Sequence, residues 1–179
     1  MQIDDNDIYN LMLDSPEKGI RMLMDKYGEA IYWHERRLLV DHDDAQDATQ
    51  ETFIKVFRFF HSLKDATTLR SWIYRIATNV TLSMIEKNKK PRELFVNIDE
   101  SNTDIAATAY TDYSDLEAVK LQRAILSLSP KQQATFNMRY YDEMDYKQIA
   151  EALDTTLSTA KVNYHIAKEK IIKFMNSNY

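Results

Sequence analysis

The spacing of apolar and polar positions predicts a chain made of helices. Asp5 to Leu13 carries the pattern of a short helix, and Ser15-Pro16 has the form of an N-cap followed by proline at the first helical position. Ile20, Met22, Leu23, Tyr27, Ile31, Trp33 and Leu38 carry apolar faces through to Val40, with Gly28 a point where the helix is open to bending or division. From Asp44 to Phe60 the period places Ala45, Ala48, Phe53, Val56, Phe57 and Phe60 on one face and Asp47, Gln50, Glu51, Ile54 and Arg58 on the other. Acidic residues in the first turn favour this helix start through the macrodipole. The pattern lapses in HSLKDATTLR, a polar loop. A further helix then turns Trp72, Ile73, Ile76, Ala77, Val80 and Met84 inward and leaves Arg75, Thr78, Asn79, Ser83, Lys87 and Asn88 to solvent or a partner.

From Glu93 to Asp115 the period disappears, Asn, Ser, Thr and Asp accumulate, and Lys and Arg are absent, which reads as a linker. Helical spacing resumes over Leu116 to Leu126. Ser129-Pro130-Lys131-Gln132 reads as a capping box before a helix carrying Phe136, Met138, Tyr140 and Tyr141, and Asp145-Tyr-Lys-Gln148 as a second box. The short helix after it turns Ile149, Ala150 and Leu153 inward. Asp154-Thr155 forms a turn, and Thr156 caps a last helix from about Leu157, so the order is that of a helix-turn-helix. Ala160, Tyr164, Ala167 and Ile171 share the inward face of the last helix, leaving Ser158, Thr159, Lys161, Val162, Asn163, His165 and Lys168 outward. Such a helix sets its N-terminal half in the major groove, where Asn, Ser and Thr read base edges and Lys holds phosphate.

Composition narrows the fold class. Two glycines and three prolines in 179 residues, 44% of them hydrophobic, argue for packed helices with few breaks, hence an all-α protein. No cysteine is present, which excludes disulfides and thiolate zinc sites. The first residues lack a basic stretch leading into an apolar core and no run approaches a membrane span, so a cytoplasmic protein without membrane insertion is expected. The net charge of −5 speaks against nucleic-acid binding until it is divided along the chain: residues 1–51 carry −8, 52–92 carry +7, 93–115 carry −6 and 116–179 carry +2. Each prospective folded half therefore has a basic surface, with acidic segments around them. His34 and the His42-Asp43 pair have ligand chemistry, yet only His61 and His165 remain to complete a site, so no metal and no cofactor is expected.

Asp44-Ala-Gln-Asp-Ala-Thr-Gln-Glu-Thr-Phe53, followed by Leu69-Arg-Ser-Trp-Ile-Tyr-Arg-Ile-Ala-Thr-Asn79, resembles region 2 of the extracytoplasmic-function group of bacterial sigma factors, the promoter-specificity subunits of RNA polymerase. The helix-turn-helix near the C-terminus resembles sigma region 4. The resemblance implies two small helical domains, residues 1–92 and 116–179, joined by an acidic linker, 93–115, that runs near the polymerase active centre. It implies a partner, RNA polymerase core, met through the largest-subunit clamp helices and the flap, with Asp47, Gln50, Glu51 and Ile54 on the clamp-helix contact. It implies promoter DNA as a second partner: Lys64, Thr67, Thr68, Arg70, Tyr74, Arg75, Asn79 and Lys87 toward unpaired bases of the downstream element, and Ser158, Thr159, Lys161, Val162, Asn163, His165 and Lys168 toward the upstream element. An anti-sigma factor is a further implied partner, and no residue is catalytic.

The plainer readings are a solvated acidic face on the first of these helices, an ordinary connecting loop after Phe60, and a core position for Trp72, which its helical spacing favours. Two departures from the family stand out: Asp154 occupies a turn position where glycine is usual, and Asn163 and Ile166 stand where Arg is frequent. The alternative functions are a stand-alone helix-turn-helix regulator with a helical sensor domain, and a helical metal hydrolase.

Overall fold

A computed structural model describes residues 3–87 and 116–177. Among these residues there are eight α-helices and no strand. The linker expected over 93–115 lies outside the described residues, as do Asn88 to Arg92.

Helix α1 (Asp5–Asp14) starts where the Asp4 carboxylate accepts the Asn6 amide. Helix α2 (Pro16–Leu39) runs unbroken, so Gly28 neither bends nor divides it. Ser15 makes no side-chain cap bond, leaving proline's preset φ as the local start signal. α1 folds back onto α2 at very short range because Gly19 has no side chain. A Cβ there would lie 2.5 Å from the Met12 Cα and backbone nitrogen. The same junction is tied by Asp5, whose carboxylate accepts from Lys26 at 2.6 Å and from the Tyr27 hydroxyl at 2.7 Å.

α2 stops at Val40, whose φ of 69° lies in the left-handed region that β-branched residues rarely adopt. Asp41 then caps helix α3 (His42–Phe59) by accepting the Asp44 amide at 2.9 Å, so the helix begins before Asp44. The polar loop is not featureless. It holds two single 3-10 turns, Phe60–Ser62 and Ala66–Thr68, and delivers the chain into helix α4 (Leu69–Lys87).

Ile8, Leu23, Ile31, Phe53, Val56, Phe60, Leu69 and Ile73 form the centre of the first bundle. Trp72 is half-buried and meets the Phe60 ring edge-on, the core position its spacing favours. Two face assignments are corrected. Phe57, expected inside, is 44% exposed; it lies three residues after Ile54 and is drawn onto the outer face of α3. Thr78, expected outside, is buried with its hydroxyl 2.9 Å from Nε2 of His34 on α2.

The second half comprises helices α5 (Leu116–Leu126), α6 (Pro130–Tyr140), α7 (Tyr146–Ala152) and α8 (Leu157–Asn176). The capping box expected at Ser129 does not form: Ser129 gives no side-chain cap, and proline at the first turn marks the start alone. The box at Asp145 and Gln148 forms with both of its bonds. Asp154 takes φ 51° in the turn before α8, the left-handed conformation that Asp tolerates in place of glycine. Ala167 and Ile171 of α8 pack with Ala124, Ile125, Leu128 and Phe136. A second contact joins the halves: Met138, Met144, Ile149, Ala150 and Ala160 belong to the same apolar cluster as Leu23 and Ile73, with α7 laid on α4 and α6 against α2.

Candidate partner groove and nucleic-acid interface

Three surfaces emerge. The first is an apolar groove of about 1010 Å³ between α2 and α3, lined by Ile20, Met24 and Gly28 on one side and by Gln50, Phe53, Ile54 and Phe57 on the other. Met24, Ile54 and Phe57 are 46%, 53% and 44% exposed, an unusual concentration of open apolar surface for a small bundle. Asp47, Gln50 and Glu51 are exposed on α3 beside Ile54, with Glu51 holding Lys55 at 3.3 Å, while Arg58 and His61 complete the lining of the groove on the same helix and just beyond it. Thus Gln50 and Ile54 are brought into one groove and Asp47 and Glu51 stand on its helix. The sequence reading missed Ile20, Met24 and Phe57. The signal was available as the stripe Gln50, Ile54, Phe57, His61 along α3 and Ile20, Met24, Gly28 along α2.

Behind this wall Glu35 is fully buried. Thr52 donates to its Oε1 at 2.7 Å, while the Thr49 hydroxyl lies 2.6 Å from Oε2 and 2.7 Å from the Ala45 carbonyl oxygen. One hydroxyl has a single proton and here meets two acceptors. The contact is satisfied when Glu35 itself carries a proton and donates to Thr49. Burial indeed pushes the Glu35 carboxyl up to about 7, against the opposing pull of the two threonine hydroxyls.

The second surface is α4 with the turn before it. Asp65 orders that turn by accepting the Thr67 amide at 2.8 Å, leaving Lys64 and Thr67 exposed and Thr68 half-buried. Arg75, Asn79 and Lys87 are exposed along the helix. Arg70 and Tyr74 depart from the expected free DNA face. The Arg70 guanidinium donates to the Asp142 carbonyl, and Tyr74 is 1% exposed, with the His34 ring packed edge-on at 5.0 Å. Burial first, and then the charge of Asp142, raises the Tyr74 hydroxyl above its ordinary range.

Asp142, in the turn between α6 and α7, is the hub that sequence reading missed. Its carboxylate meets Arg37 at 3.2 Å and faces Nδ1 of His34 at 3.4 Å. Arg37 also lies 4.4 Å over the Tyr141 ring, and its carbonyl accepts from Gln133 at 3.1 Å. Farther along, Glu151 accepts from Ser71 at 2.8 Å and Asp154 pairs with Arg75 at 3.2 Å. These partners are separated by 70 residues or more in sequence, so no periodicity connects them.

The third surface is the N-terminal half of α8. Thr156 caps it by accepting the Thr159 amide at 3.1 Å. Ser158, Thr159, Lys161, Val162, His165 and Lys168 are exposed and Asn163 is half-buried, so the expected set shares one open face. Leu157, 45% exposed at its start, adds an apolar contact point. His165 is committed to Glu169 at 3.4 Å, one turn away. His34 and His42 do not make a metal site: His34 bonds Thr78, His42 lies 2.7 Å from the Tyr32 hydroxyl, and among the described residues no three His, Cys, Asp or Glu side chains are grouped to hold a metal. No helix among them is long and apolar enough to cross a membrane.

Residues 23–90 match the family model Sigma-70 region 2, and residues 118–171 match Sigma-70, region 4. The ECF RNA polymerase sigma factor SigW of Bacillus subtilis is 28% identical over 162 residues, covering 84% of this chain and 86% of that protein. The ECF RNA polymerase sigma-E factor of Escherichia coli is 24% identical over 180 residues, covering 96% and 88%. Among solved structures, CnrH in complex with the cytosolic domain of CnrY has a TM-score of 0.73 at 14% identity, over 98% of this chain and 99% of that one. The sigma factor RpoE in complex with the anti-sigma factor NepR from Bartonella quintana has a TM-score of 0.69 at 18% identity, over 90% and 99%. Likeness to both structures lies in the fold. With both regions matched in order on its two halves, and relatives of the same kind along most of its length, the chain belongs to the extracytoplasmic-function group of the sigma-70 family.

Proposed function

We propose that this chain is a transcription initiation factor that binds RNA polymerase core and directs it to specific promoters. The observation that carries the reading is the pairing, on one chain, of an open apolar groove, with Asp47 and Glu51 exposed on its α3 wall, and a capped helix-turn-helix with its polar face exposed. The groove suits an amphipathic helical partner with basic flanks, because apolar anchors enter between α2 and α3 while Asp47 and Glu51 meet the flanks. This is the role assigned to Asp47, Gln50, Glu51 and Ile54 against the clamp helices of core, with Met24 and Phe57 added as anchors.

Mechanistically the work is binding, with no bond made or broken by the chain. Lys64, Thr67, Arg70, Arg75 and Asn79 offer cations, hydroxyls and an amide to unpaired bases and their phosphates at the downstream element. Lys87 extends that stripe. α8 docks the upstream element in the major groove, Asn163 and Thr159 toward base edges and Lys161 and Lys168 toward phosphate. The protein works in the cytoplasm, where core and promoter are, and an anti-sigma factor that occupies the α2–α3 groove would compete with core.

The test is transcription from genomic DNA fragments by purified core with and without this protein, followed by sequencing of the RNA 5′ ends. Discrete starts sharing two spaced upstream motifs, found only with the protein present, are expected. Protection of DNA by the protein alone, with no core-dependent starts, would instead identify a stand-alone regulator.

A further inference from the structure

The polar loop assigned to the downstream element has little regular structure of its own to hold it. Its two 3-10 turns are single, and between them Leu63 and Asp65 run extended, with ψ 120° and ψ 132°. Hydrogen-bond geometry in such turns is poor, so a loop that must present side chains at fixed places needs support from outside itself. Helix α1 supplies it. The Tyr9 hydroxyl reaches two successive carbonyl oxygens of the extended stretch, that of Leu63 at 3.5 Å and that of Lys64 at 3.4 Å. The Tyr9 ring lies 5.5 Å from the Phe60 ring, which in turn meets Trp72 of α4 edge-on. Ile8 and Met12 share a cluster with Leu63 and Leu69, and α1 also packs on the Ala66–Thr68 turn. Leu63 and Ala66 are thus buried on the inner side of the loop, while Lys64 and Thr67 are left exposed on the outer side.

The support is itself fixed without help from the loop. Gly19 lets α2 approach the Met12 backbone, and the Asp5 carboxylate holds Lys26 and Tyr27 of α2. Helix α1 also precedes residues 23–90, the span matched to region 2, so that match assigns it no part in promoter reading. We infer that α1 belongs to the promoter-reading apparatus, with Tyr9 as a positioning residue that fixes the backbone at Leu63 and Lys64 and so sets where Lys64 and Thr67 stand relative to Arg75 and Asn79 on α4. This deepens the proposed function and rests on its assignment of the loop to unpaired bases. Tyr9 acts through the backbone and touches no base. One hydroxyl proton is shared by the two carbonyls, so the ring supplies most of the hold and the hydroxyl sets the register.

Two variants separate these parts. Tyr9→Leu keeps apolar bulk but removes ring and hydroxyl, and Tyr9→Phe removes the hydroxyl alone. Each full-length protein is tested with purified core on promoters from the start-site experiment, with the downstream or the upstream element randomised. Discrimination among downstream elements should fall at least about tenfold in Tyr9→Leu and about threefold in Tyr9→Phe, since stacking and hydrogen bonds to a single base act on that scale. The groove is not lined by Phe60, Leu63 or Lys64, and neither is the α8 face, so core affinity and upstream discrimination should stay within about 1.5-fold of the parent's. Because the chain contains no cysteine, the loop can also be observed directly with a spin label at Lys64→Cys. The label should be ordered in the parent background and gain a mobile component in Tyr9→Leu. Circular dichroism checks folding; if Tyr9→Leu does not fold, Tyr9→Phe decides. Downstream discrimination equal to the parent's in the folded variants, an equal loss at both elements, or a label as mobile in the parent as in Tyr9→Leu overturns the inference. Failure of the functional reading looks different: the parent itself would then give no core-directed starts, while the label would still be freed in Tyr9→Leu.

Discussion

Replacing Glu35 by Gln should stabilise the protein above neutral pH and leave it unchanged below about pH 5. The carboxyl is fully buried and is raised from an ordinary 4.5 to about 7, so between those values the folded chain holds a proton that the unfolded chain has released. Stability then falls as pH rises through that window, by about 1.4 kcal/mol per pH unit for one group, or roughly 3 kcal/mol over the whole interval. Above about 7 the loss is complete and constant, because both states are ionised. Glutamine has the same shape, can accept from Thr52 through its carbonyl, and can donate its amide proton to Thr49 as the neutral carboxyl does. It carries no titration. Urea unfolding followed at 222 nm, run from pH 5 to 8.5 on both proteins, isolates this site, since every other group titrates alike in both and cancels in the difference. The expected difference is near zero at pH 5 and rises to about 3 kcal/mol at pH 8, with unchanged denaturant slope. A difference that is flat with pH, or a variant less stable at pH 8, would refute both the protonated carboxyl and the hydroxyl argument behind it.

Asp47→Lys combined with Glu51→Lys should abolish association with core polymerase without loss of helicity, because both side chains are exposed on α3; unaltered capture of core by the folded double variant would remove the groove from the proposed contact. Gly19→Ala should cost about 1 to 3 kcal/mol, since its Cβ would sit 2.5 Å from the Met12 backbone, and a thermal midpoint equal to the parent's would contradict that packing. Asn163→Ala should weaken or relax upstream recognition by about 1 to 3 kcal/mol if its amide makes a bidentate base contact, measured by competition between promoter variants. Asn79→Ala should impair promoter opening and be rescued by a pre-melted bubble; a bubble that rescued both asparagine variants equally, or neither, would show that the two do not act at separate steps.

What the sequence could carry was local. Helical period, the Asp145–Gln148 box, the Thr156 cap and the tolerance of Asp154 for the left-handed turn were all readable, because each depends on residues within a turn or two of one another. So were the exposed faces of α3 and of α8. The misses share a cause. Thr78 was assigned to solvent because its period marks it as polar, and only the crossing of α2 over α4 brings His34 to it. Phe57 was assigned to the core because it is aromatic, and only the spread between α2 and α3 leaves it open. Ser129 has the box sequence, yet its side chain makes no cap bond and proline is sufficient to begin α6. Asp142 had no local signal at all, being an acidic turn residue whose partners come from α2 and α4.

Met138 and Met144 are fully buried in the cluster shared by the two halves, whereas Met24 lies 46% exposed in the groove. A thioether is oxidised by peroxide only when solvent reaches it, and the sulfoxide is too polar to return to an apolar cluster. The chain thus carries its own chemical clock. Sulfoxide at Met24 would record exposure to oxidant, and sulfoxide at Met144, read from the same peptide digest, would record any opening of the shared cluster. Such an event would also act as a ratchet: a chain oxidised at Met144 could not repack the shared cluster until a reductase restored the sulfur.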